Sequence, residues 1–238
     1  MTKLPELSIF FPFWNEEENI TTVVENALKI APTIAAKFEI LVIDDGSSDK
    51  TLEKGNQLAE KYKTVRVVAH KINRGYGAAL RSGFENAKYE YIVFTDGDLQ
   101  FDFSEVTRFV EKIDKADLVI GFRTKRRDKK LFKRLLLMNM LKIWDFILFR
   151  FSVKDIDCGF KMFKTKSLNQ IEPFHSEGAM ITTEILAKAT KKKLKIVQVG
   201  VTHYPREHGE QTGANAFVII RAVLESFSLF MDIKNKRF

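Results

Sequence analysis

Short apolar runs alternate with helical stretches through the first half of the chain, and this alternation restricts the fold most. The clearest apolar run, residues 39–43, is followed at once by a polar series at residues 44–49. Continuous apolar strands separated by helices are typical of a mostly parallel sheet with helices on both faces. The pattern therefore predicts an α/β domain with a Rossmann-like, mostly parallel sheet.

The periodicity of the apolar residues predicts the individual elements. Strands are expected at residues 7–13, 39–43, 64–69, 91–95, 117–121 and 194–204. Helices are expected at residues 18–30 (ending near Pro32), 51–62, 77–87, 104–112, 131–151, 182–190 and 216–231. Parallel sheets bind ligands at the carboxyl ends of their strands. Three polar clusters, at residues 12–18, 44–49 and 96–100, lie at such ends.

Composition limits the classes of protein that fit. The 238 residues suffice for one sizeable core, so we expect a single domain over residues 1–238. Cys158 is the only cysteine, which excludes a disulfide framework and a zinc site built from cysteines. Lysine and arginine total 39 against 31 acidic residues, and the net charge of +8 favours phosphorylated ligands, nucleic acid or a membrane surface as partners.

The series at residues 96–100 carries the clearest chemistry. Asp96 and Asp98 flank a glycine directly after an apolar strand, and Gln100 stands two positions further on. Alternate residues of an extended chain point the same way, so two carboxylates and an amide oxygen can converge on Mg²⁺ or Mn²⁺. Taken alone, Asp-Gly-Asp is more typical of a surface turn. Its position beside two other polar strand ends favours the metal site.

Two further series admit both a binding and a structural interpretation. Asp44 or Asp45 can accept hydrogen bonds from a nucleobase or a ribose, while Ser48 or Asp49 suits the N-terminus of the next helix. The glycine turn at residues 73–79 opens a helix whose N–H groups can meet a phosphate, although a structural turn is favoured. It is not a dinucleotide fingerprint, because Leu80 stands where the third glycine or alanine is required.

Seven short motifs follow one another along the chain. They are Pro12-Phe13-Trp14-Asn15-Glu16-Glu17, Val42-Ile43-Asp44-Asp45-Gly46-Ser47-Ser48-Asp49, Asn73-Arg74-Gly75, Asp96-Gly97-Asp98-Leu99-Gln100, Gly121-Phe122-Arg123, Asp157-Cys158-Gly159-Phe160-Lys161 and His203-Tyr204-Pro205-Arg206-Glu207-His208-Gly209. Together they resemble the family 2 glycosyltransferases of the GT-A fold, and among them the polyprenyl-phosphate sugar synthases of the dolichol-phosphate mannose or glucose type. The resemblance covers residues 5–213.

The resemblance implies a role for each matching position. It assigns the nucleoside to Pro12, Trp14, Glu16 and Asp44 or Asp45. It assigns the metal to Asp98 and Gln100 with Asp96, which also lies near the ribose and diphosphate. Phosphates of donor or acceptor are assigned to Arg123 and Arg206, and the sugar and acceptor region to Arg123, Asp157, Gly159, Phe160 and Lys161. Catalysis then depends on the acidic pair and on Arg206.

Two positions depart from the family pattern. Gln211 and Thr212 follow Gly209 where relatives often have Ser-Lys, so a phosphate-binding lysine is missing or is replaced from elsewhere. Phe13 is bulkier than the usual small residue or threonine.

The implied reaction is transfer of a hexose, mannose or glucose, from a GDP- or UDP-linked donor to a polyprenyl phosphate, with inversion at the anomeric carbon. A phosphate monoester has a second pKa of about 6 and is largely dianionic near pH 7. Such an acceptor attacks without a strong general base. Glu184 can be a base in other members of the family, whereas a positioning role or helix capping is equally open here.

Two features predict contact with a membrane surface. No run of 18 uncharged apolar residues occurs, and residues 1–8 lack the pattern of a signal peptide, so neither a transmembrane helix nor a leader is expected. The two long apolar helices adjoin basic runs, and the segments 123–151 and 214–238 are expected to lie in the interface of an anionic membrane at its cytoplasmic face. Core packing or a dimer contact is the alternative for either helix.

Three other functions remain open at this level. A transferase of the same family can act on a soluble or cell-surface glycan, although the processive branch is disfavoured because tryptophan occurs only at positions 14 and 144. A nucleic-acid-binding protein explains the positive charge, but no recognised binding motif accompanies the basic runs, so no nucleic acid is expected. A noncatalytic binder of sugar nucleotides would tolerate loss of Asp98, whereas the enzyme would not.

Overall fold

The computed structural model describes residues 3–124, 148–151, 153–206, 225–227 and 229–235. Its strands are β1 (Leu4–Phe13), β2 (Ala35–Asp44), β3 (Val65–Ala69), β4 (Tyr91–Phe94), β5 (Leu118–Arg123), β6 (Lys161–Lys164) and β7 (Ile196–Val201). Its helices are α1 (Ile20–Ile34), α2 (Thr51–Lys61), α3 (Tyr76–Asn86), α4 (Val106–Ile113), α5 (Thr165–Leu168) and α6 (Ile181–Lys191), with a 3₁₀ turn at Phe103–Glu105.

The strands form one sheet in the order β3-β2-β1-β4-β6-β5-β7. The pairs β1–β2, β1–β4, β2–β3 and β5–β7 are parallel, as the alternation of strands and helices predicts. Strand β6 is antiparallel to both of its neighbours, β4 and β5. The prediction of a mostly parallel sheet is therefore confirmed.

Helices cover both faces of this sheet, and a separate apolar core lies under each layer. Successive side chains of a strand point to opposite faces. In β1, Ile9 and Phe11 accordingly join the core under α1 and α4, whereas Phe10 joins the core under α3 and α6. Phe10 stacks on Phe94 of the neighbouring strand with ring centroids 5.2 Å apart. The two packed layers fix the direction of each strand and so the position of its carboxyl end.

Two expected helices have other bounds, and one strand was not predicted. Helix α1 ends at Ile34, four residues beyond the expected bound at residue 30, with Pro32 inside its last turns. The helix expected at residues 104–112 begins at Val106, because Ser104 lies in a 3₁₀ turn in which the Asp102 side chain accepts a hydrogen bond from the Ser104 N–H. Strand β6 has no predicted counterpart, because four residues directly after a polar loop leave too short a pattern to detect.

The basic linker at residues 125–134 and most of the two apolar segments, 131–151 and 216–231, lie outside the described residues. Within the described part of the chain, no helix is long and apolar enough to cross a membrane.

Candidate active site

Three polar clusters meet at the carboxyl edge of the sheet. Strands β2, β1 and β4 are adjacent and parallel, with Phe13 in register with Asp44. The Asp45 N–H donates to the Phe13 carbonyl at 2.9 Å, which joins the first two clusters. A Cβ at Gly97 would lie 2.9 Å from the Pro12 carbonyl oxygen, so the third cluster packs directly against the first.

The loops after β1 and β2 are tied to each other by hydrogen bonds. The Asn15 N–H donates to Ser47 Oγ at 3.0 Å, and Asn15 Oδ1 accepts from the Ser48 N–H at 2.8 Å. Asp49 accepts from the N–H groups of Glu17 at 3.1 Å and Thr51 at 2.9 Å. Asp49 thus accepts from the first N–H of α2, one position before the N-cap residue Lys50, and these hydrogen bonds join the two loops into one ledge, where the Trp14 side chain is exposed.

Asp45 serves the local structure. Its carboxylate accepts from the N–H groups of Arg74 at 2.9 Å and Gly75 at 2.8 Å, and its Oδ1 lies 2.6 Å from His70 Nδ1. The other ring nitrogen, His70 Nε2, lies 2.8 Å from Ser82 Oγ. Asp45 thus holds the loop before α3.

Asp44 differs from its neighbour in having an unused acceptor. The residue is fully buried, and its Oδ2 accepts from the Ser47 N–H at 3.3 Å. Its Oδ1 is also buried and has no hydrogen-bond partner among the described residues. A buried acceptor without a partner is costly, so of the two adjacent carboxylates Asp44 is the one that gains from a ligand donor.

Asp96 and Asp98 lie close together at the end of β4. Burial raises the pKa of Asp96. Burial and then the negative charge of Asp96 raise the pKa of Asp98 to about 7. The Tyr76 hydroxyl donates to Asp96 Oδ1 at 2.8 Å, and burial followed by the charge of Asp96 raises the pKa of Tyr76 well above its ordinary value. The effect of the Asp96 charge on Asp98 is that of two carboxylates near each other.

Gln100 contacts both the acidic pair and the segment after β7. Its N–H donates to Asp98 Oδ1 at 3.1 Å, and its Nε2 donates to the Tyr204 carbonyl at 3.0 Å. The Tyr204 N–H donates in return to the Gln100 carbonyl at 2.9 Å. This pairing brings Arg206 to the same edge, where its guanidinium pairs with Glu16. Burial raises the pKa of Glu16.

Arg123 is held away from solvent at the end of β5. Its Nε and Nη2 donate to the two carboxylate oxygens of Asp155 at 2.7 and 2.8 Å. Burial lowers the pKa of Arg123, but its hydrogen bonds and ion pair with Asp155 outweigh burial and raise it. A side chain engaged on two nitrogens has less freedom to meet a phosphate than the resemblance implies.

Residues 157–161 differ in how far their side chains are buried. Asp157 is exposed, whereas Phe160 is fully buried and stacks on Phe109 with ring centroids 4.4 Å apart. Lys161 is also fully buried, and its Nζ donates to the carbonyls of Ile156, at 3.2 Å, and Cys158. Burial lowers the pKa of Lys161. Phe160 and Lys161 therefore support the loop from within.

Gly159 is the residue of that loop that contacts the acidic pair. A Cβ at this position would lie 2.0 Å from Asp96 Oδ2, so the backbone itself packs on the carboxylate.

The glycine turn before α3 is structural. The N–H groups of Gly77 and Ala78 donate to the Glu177 carbonyl at 2.8 and 3.3 Å. Those donors are used, so this helix terminus does not offer them to a phosphate. The favoured interpretation from the sequence is confirmed, and the phosphate site is not.

The sequence also matches a known protein family. The profile of glycosyl transferase family 2 matches residues 8–172, well over half of the chain. This chain belongs to glycosyl transferase family 2. It is 28% identical over 220 residues to a dolichyl-phosphate beta-glucosyltransferase of Saccharomyces cerevisiae, covering 82% of this chain and 66% of that protein.

Two further relatives extend the comparison. The family 2 chain is 33% identical over 213 residues to a dolichyl-phosphate beta-glucosyltransferase of Dictyostelium discoideum, covering 82% of this chain and 65% of the relative. It is 26% identical over 212 residues to a dodecaprenyl-phosphate galacturonate synthase of Rhizobium johnstonii, covering 86% and 60%. The chain thus spans between 60% and 66% of the length of these three relatives.

Solved structures share the fold. A glucosyl-3-phosphoglycerate synthase of Mycobacterium tuberculosis, in complex with phosphoglyceric acid, superposes with a TM-score of 0.69 at 20% identity, covering 93% of this chain and 80% of that one. The same enzyme in complex with Mn²⁺, uridine diphosphate and glucosyl-3-phosphoglycerate gives a TM-score of 0.67 at 19% identity, covering 96% and 80%. The GT-A fold expected of a family 2 chain is therefore confirmed.

The donor set of the acidic pair fits a hard divalent cation. Carboxylate and amide oxygens suit Mg²⁺ and Mn²⁺, and two protein carboxylates suffice where substrate phosphates complete the shell. Among the described residues, no cluster of three or more His, Cys, Asp or Glu side chains is placed to hold a metal by itself.

The Glu184 carboxylate of this family 2 chain is engaged in structural contacts. It is fully buried, and its carboxylate accepts from the N–H groups of His175 at 3.0 Å and Ser176 at 2.9 Å while pairing with Lys188 at 2.8 Å. Burial raises the pKa of Glu184, but the bond to Lys188 and the backbone donors outweigh burial and lower it. The carboxylate is therefore an anchor for the loop before α6 and not a base facing a substrate.

Sequence reasoning missed Tyr76, Asp155 and the partner of Glu184. Tyr76 stands inside the glycine turn, where the glycines dominate the pattern. Asp155 lies 32 positions from Arg123, so no local periodicity connects them. An acidic residue beside the noted series 157–161 was the only available signal.

Proposed function

We propose that this chain is an inverting, metal-dependent glycosyltransferase that moves one hexose, mannose or glucose, from a GDP- or UDP-linked donor to a polyprenyl phosphate. The observation that carries the proposal is the acidic pair Asp96 and Asp98 at the end of β4, where Gly97 between them packs against the end of the adjacent parallel strand β1. The curated relatives, whose names include dolichyl-phosphate and dodecaprenyl-phosphate enzymes, support the acceptor class.

The donor nucleoside is proposed to lie on the ledge formed by the loops after β1 and β2. Asp44 has a buried oxygen without a partner and would accept from the base or the ribose. The exposed ring of Trp14 would supply an apolar surface, and Pro12 and Glu16 of the same segment would complete the nucleoside site.

The diphosphate is proposed to lie above β4. Asp98, Gln100 and Asp96 would hold Mg²⁺ or Mn²⁺, and the bound cation would neutralise negative charge that develops on the leaving diphosphate. Arg206 would add a second positive charge from the same edge.

The acceptor needs little help from the protein to become nucleophilic. A phosphate monoester is mostly dianionic near pH 7, since its second pKa is about 6. A base is therefore dispensable, which agrees with a Glu184 carboxylate that is already occupied by two backbone donors and Lys188. Gly159 and the exposed Asp157 would border the acceptor, with Arg123 behind them.

A donor panel tests the function. Purified protein is incubated with Mn²⁺, an undecaprenyl or dolichyl phosphate and radiolabelled UDP-glucose, GDP-mannose or UDP-N-acetylglucosamine, and the lipid product is counted. One hexose donor should label the lipid, and Asp98→Asn should lower the rate at least about a hundredfold, as for removal of a transition-state charge contact. The matched control Asp114→Asn, on the exposed end of α4, should keep full activity. Absence of lipid product with every donor would refute the proposal.

We also propose a peripheral position at the cytoplasmic face of an anionic membrane, with the segments 123–151 and 214–238 in the interface. The support is the basic and apolar sequence of these segments. Protein mixed with vesicles containing 30% phosphatidylglycerol at low salt should float with them, and vesicles of phosphatidylcholine alone should float without it. Equal recovery with both would contradict the electrostatic part of this assignment.

A further inference from the structure

We propose that Tyr76 is a positioning residue, whose hydroxyl fixes the orientation of the Asp96 carboxylate. The effect of Tyr76 on catalysis rests on the proposed function, whereas its effect on the orientation of Asp96 does not. Tyr76 lies on α3, and Asp96 lies 20 positions later at the end of β4.

The Asp96 carboxylate is confined from two sides. On one side, the Tyr76 hydroxyl donates to Oδ1 at 2.8 Å. On the other, the Gly159 backbone packs so tightly on Oδ2 that an added Cβ would lie 2.0 Å away. A carboxylate accepts hydrogen bonds and donates none when ionised, so the hydroxyl is the matching partner. The two contacts together restrict the orientation of the carboxylate.

The position of Tyr76 is itself fixed by the loop before α6. Gly75 has a φ of +98°, which favours glycine, and a Cβ there would lie 2.7 Å from the Glu177 carbonyl oxygen. The Gly77 N–H donates to that same carbonyl at 2.8 Å. The guanidinium of Arg81, one turn further along α3, donates to the Glu177 carboxylate at 3.2 Å. These contacts hold the first turn of α3 against the loop before α6 and so fix the backbone position of Tyr76.

The tyrosine ring and its hydroxyl perform separable tasks. The ring packs against the apolar core under α3 and α6, while the hydroxyl reaches the acidic pair. Tyr76→Phe keeps the packed ring and removes the one donor. Groups that orient a metal ligand are commonly worth ten- to hundredfold in metal affinity or activity. The variant should therefore keep its fold and lose the orientation of Asp96.

The chain offers a matched control. Tyr62 also packs its ring on an apolar core, and its hydroxyl donates to a carboxylate, Glu25 Oε1, at 3.2 Å. Tyr62→Phe thus removes the same kind of bond on the opposite face, away from the acidic pair. Any general cost of losing a tyrosine–carboxylate hydrogen bond appears in this variant as well.

The test measures four quantities in both variants and in the unaltered protein: the Asp96 side-chain orientation in metal-free crystals, the dissociation constant for Mn²⁺ alone by electron paramagnetic resonance, the melting temperature, and the rate of sugar transfer. For Tyr76→Phe we expect a changed Asp96 rotamer, a Mn²⁺ dissociation constant raised about tenfold or more, and a melting temperature equal to that of Tyr62→Phe. An unchanged rotamer overturns the inference, as does a Mn²⁺ affinity within twofold of the unaltered protein. If the unaltered protein transfers no sugar, the proposed function fails, and the orientation of Asp96 still decides the role of Tyr76.

Discussion

Gly159 leaves no space for a side chain beside Asp96, because an added Cβ would lie 2.0 Å from the Asp96 Oδ2 atom. The loop that carries Gly159 is itself held from within by the buried Lys161 ammonium, which donates to the carbonyls of Ile156 and Cys158. The contact joins β6, the antiparallel strand that follows this loop, to the carboxyl end of β4. The floor of the candidate site therefore depends on a loop that is distant from it in sequence.

Gly159→Ala should separate activity from stability. The atom that a new methyl would meet is the end of a flexible side chain, so Asp96 should swing away while the fold persists. We expect sugar transfer to fall at least about a hundredfold, with a free energy of unfolding lowered by no more than the roughly 1–3 kcal/mol of a tight small-to-large substitution.

Gly178→Ala is the control for that change. A Cβ at Gly178 would meet no atom within 4 Å, so this variant should keep its activity and be within about 0.5 kcal/mol of the original stability. Urea denaturation and the radiolabelled transfer assay measure the two quantities. Full activity in Gly159→Ala would show that Asp96 does not need its present position.

The sequence predicted the parallel sheet and the meeting of three polar strand ends, since both depend on local periodicity and on a general rule about parallel strands. It did not separate Asp44 from Asp45. The two adjacent carboxylates look alike in sequence. Asp45 accepts from the N–H groups of Arg74 and Gly75, 29 and 30 positions away, whereas Asp44 keeps a buried oxygen without a partner among the described residues.

The roles of Phe160 and Lys161 were missed for a related reason. A lysine beside a polar motif is usually exposed, and only the insertion of β6 between β4 and β5 buries this one. Long-range pairing of strands, which no local pattern records, decides the surroundings of both residues.

Asp155→Ala should destabilise the fold through Arg123. The pair is largely buried, and the guanidinium donates two hydrogen bonds to the carboxylate. Removal of the Asp155 carboxylate leaves the Arg123 charge in a poorly solvated position, which typically costs about 3–5 kcal/mol of unfolding free energy. Glu6→Ala, which breaks the exposed pair with Lys37, should cost less than about 1 kcal/mol. Similar losses in the two variants by urea denaturation would contradict the structural weight given to Asp155.

Glu184→Gln should lower stability by removing the carboxylate that pairs with the buried Lys188 ammonium. Both side chains are at most 1% exposed, so the expected cost is again about 3–5 kcal/mol. The double variant Glu184→Gln with Lys188→Met removes both charges and should recover part of the loss. Glu177→Gln, in an exposed pair with Arg81, is the control and should change stability by less than about 1 kcal/mol. A double variant that is no more stable than the single one would show that the charge of Lys188 is not the source of the cost.

The pH dependence of stability should report the same carboxylate. The folded pKa of Glu184 lies below its ordinary value of 4.5, because Lys188 and backbone donors outweigh burial. Its contribution is therefore fully present above about pH 4.5 and is lost as the pH falls through the lower, folded pKa. In that window the unfolded chain binds a proton that the folded chain does not, so the free energy of unfolding of the original protein should fall with decreasing pH more steeply than that of Glu184→Gln. Asp49 and Asp117, whose pKa values are also lowered, contribute equally to both proteins and cancel in the difference. Urea denaturation at half-unit steps from pH 6 to pH 3 measures it, and a difference that stays constant across this range would mean that Glu184 does not titrate below its ordinary pKa.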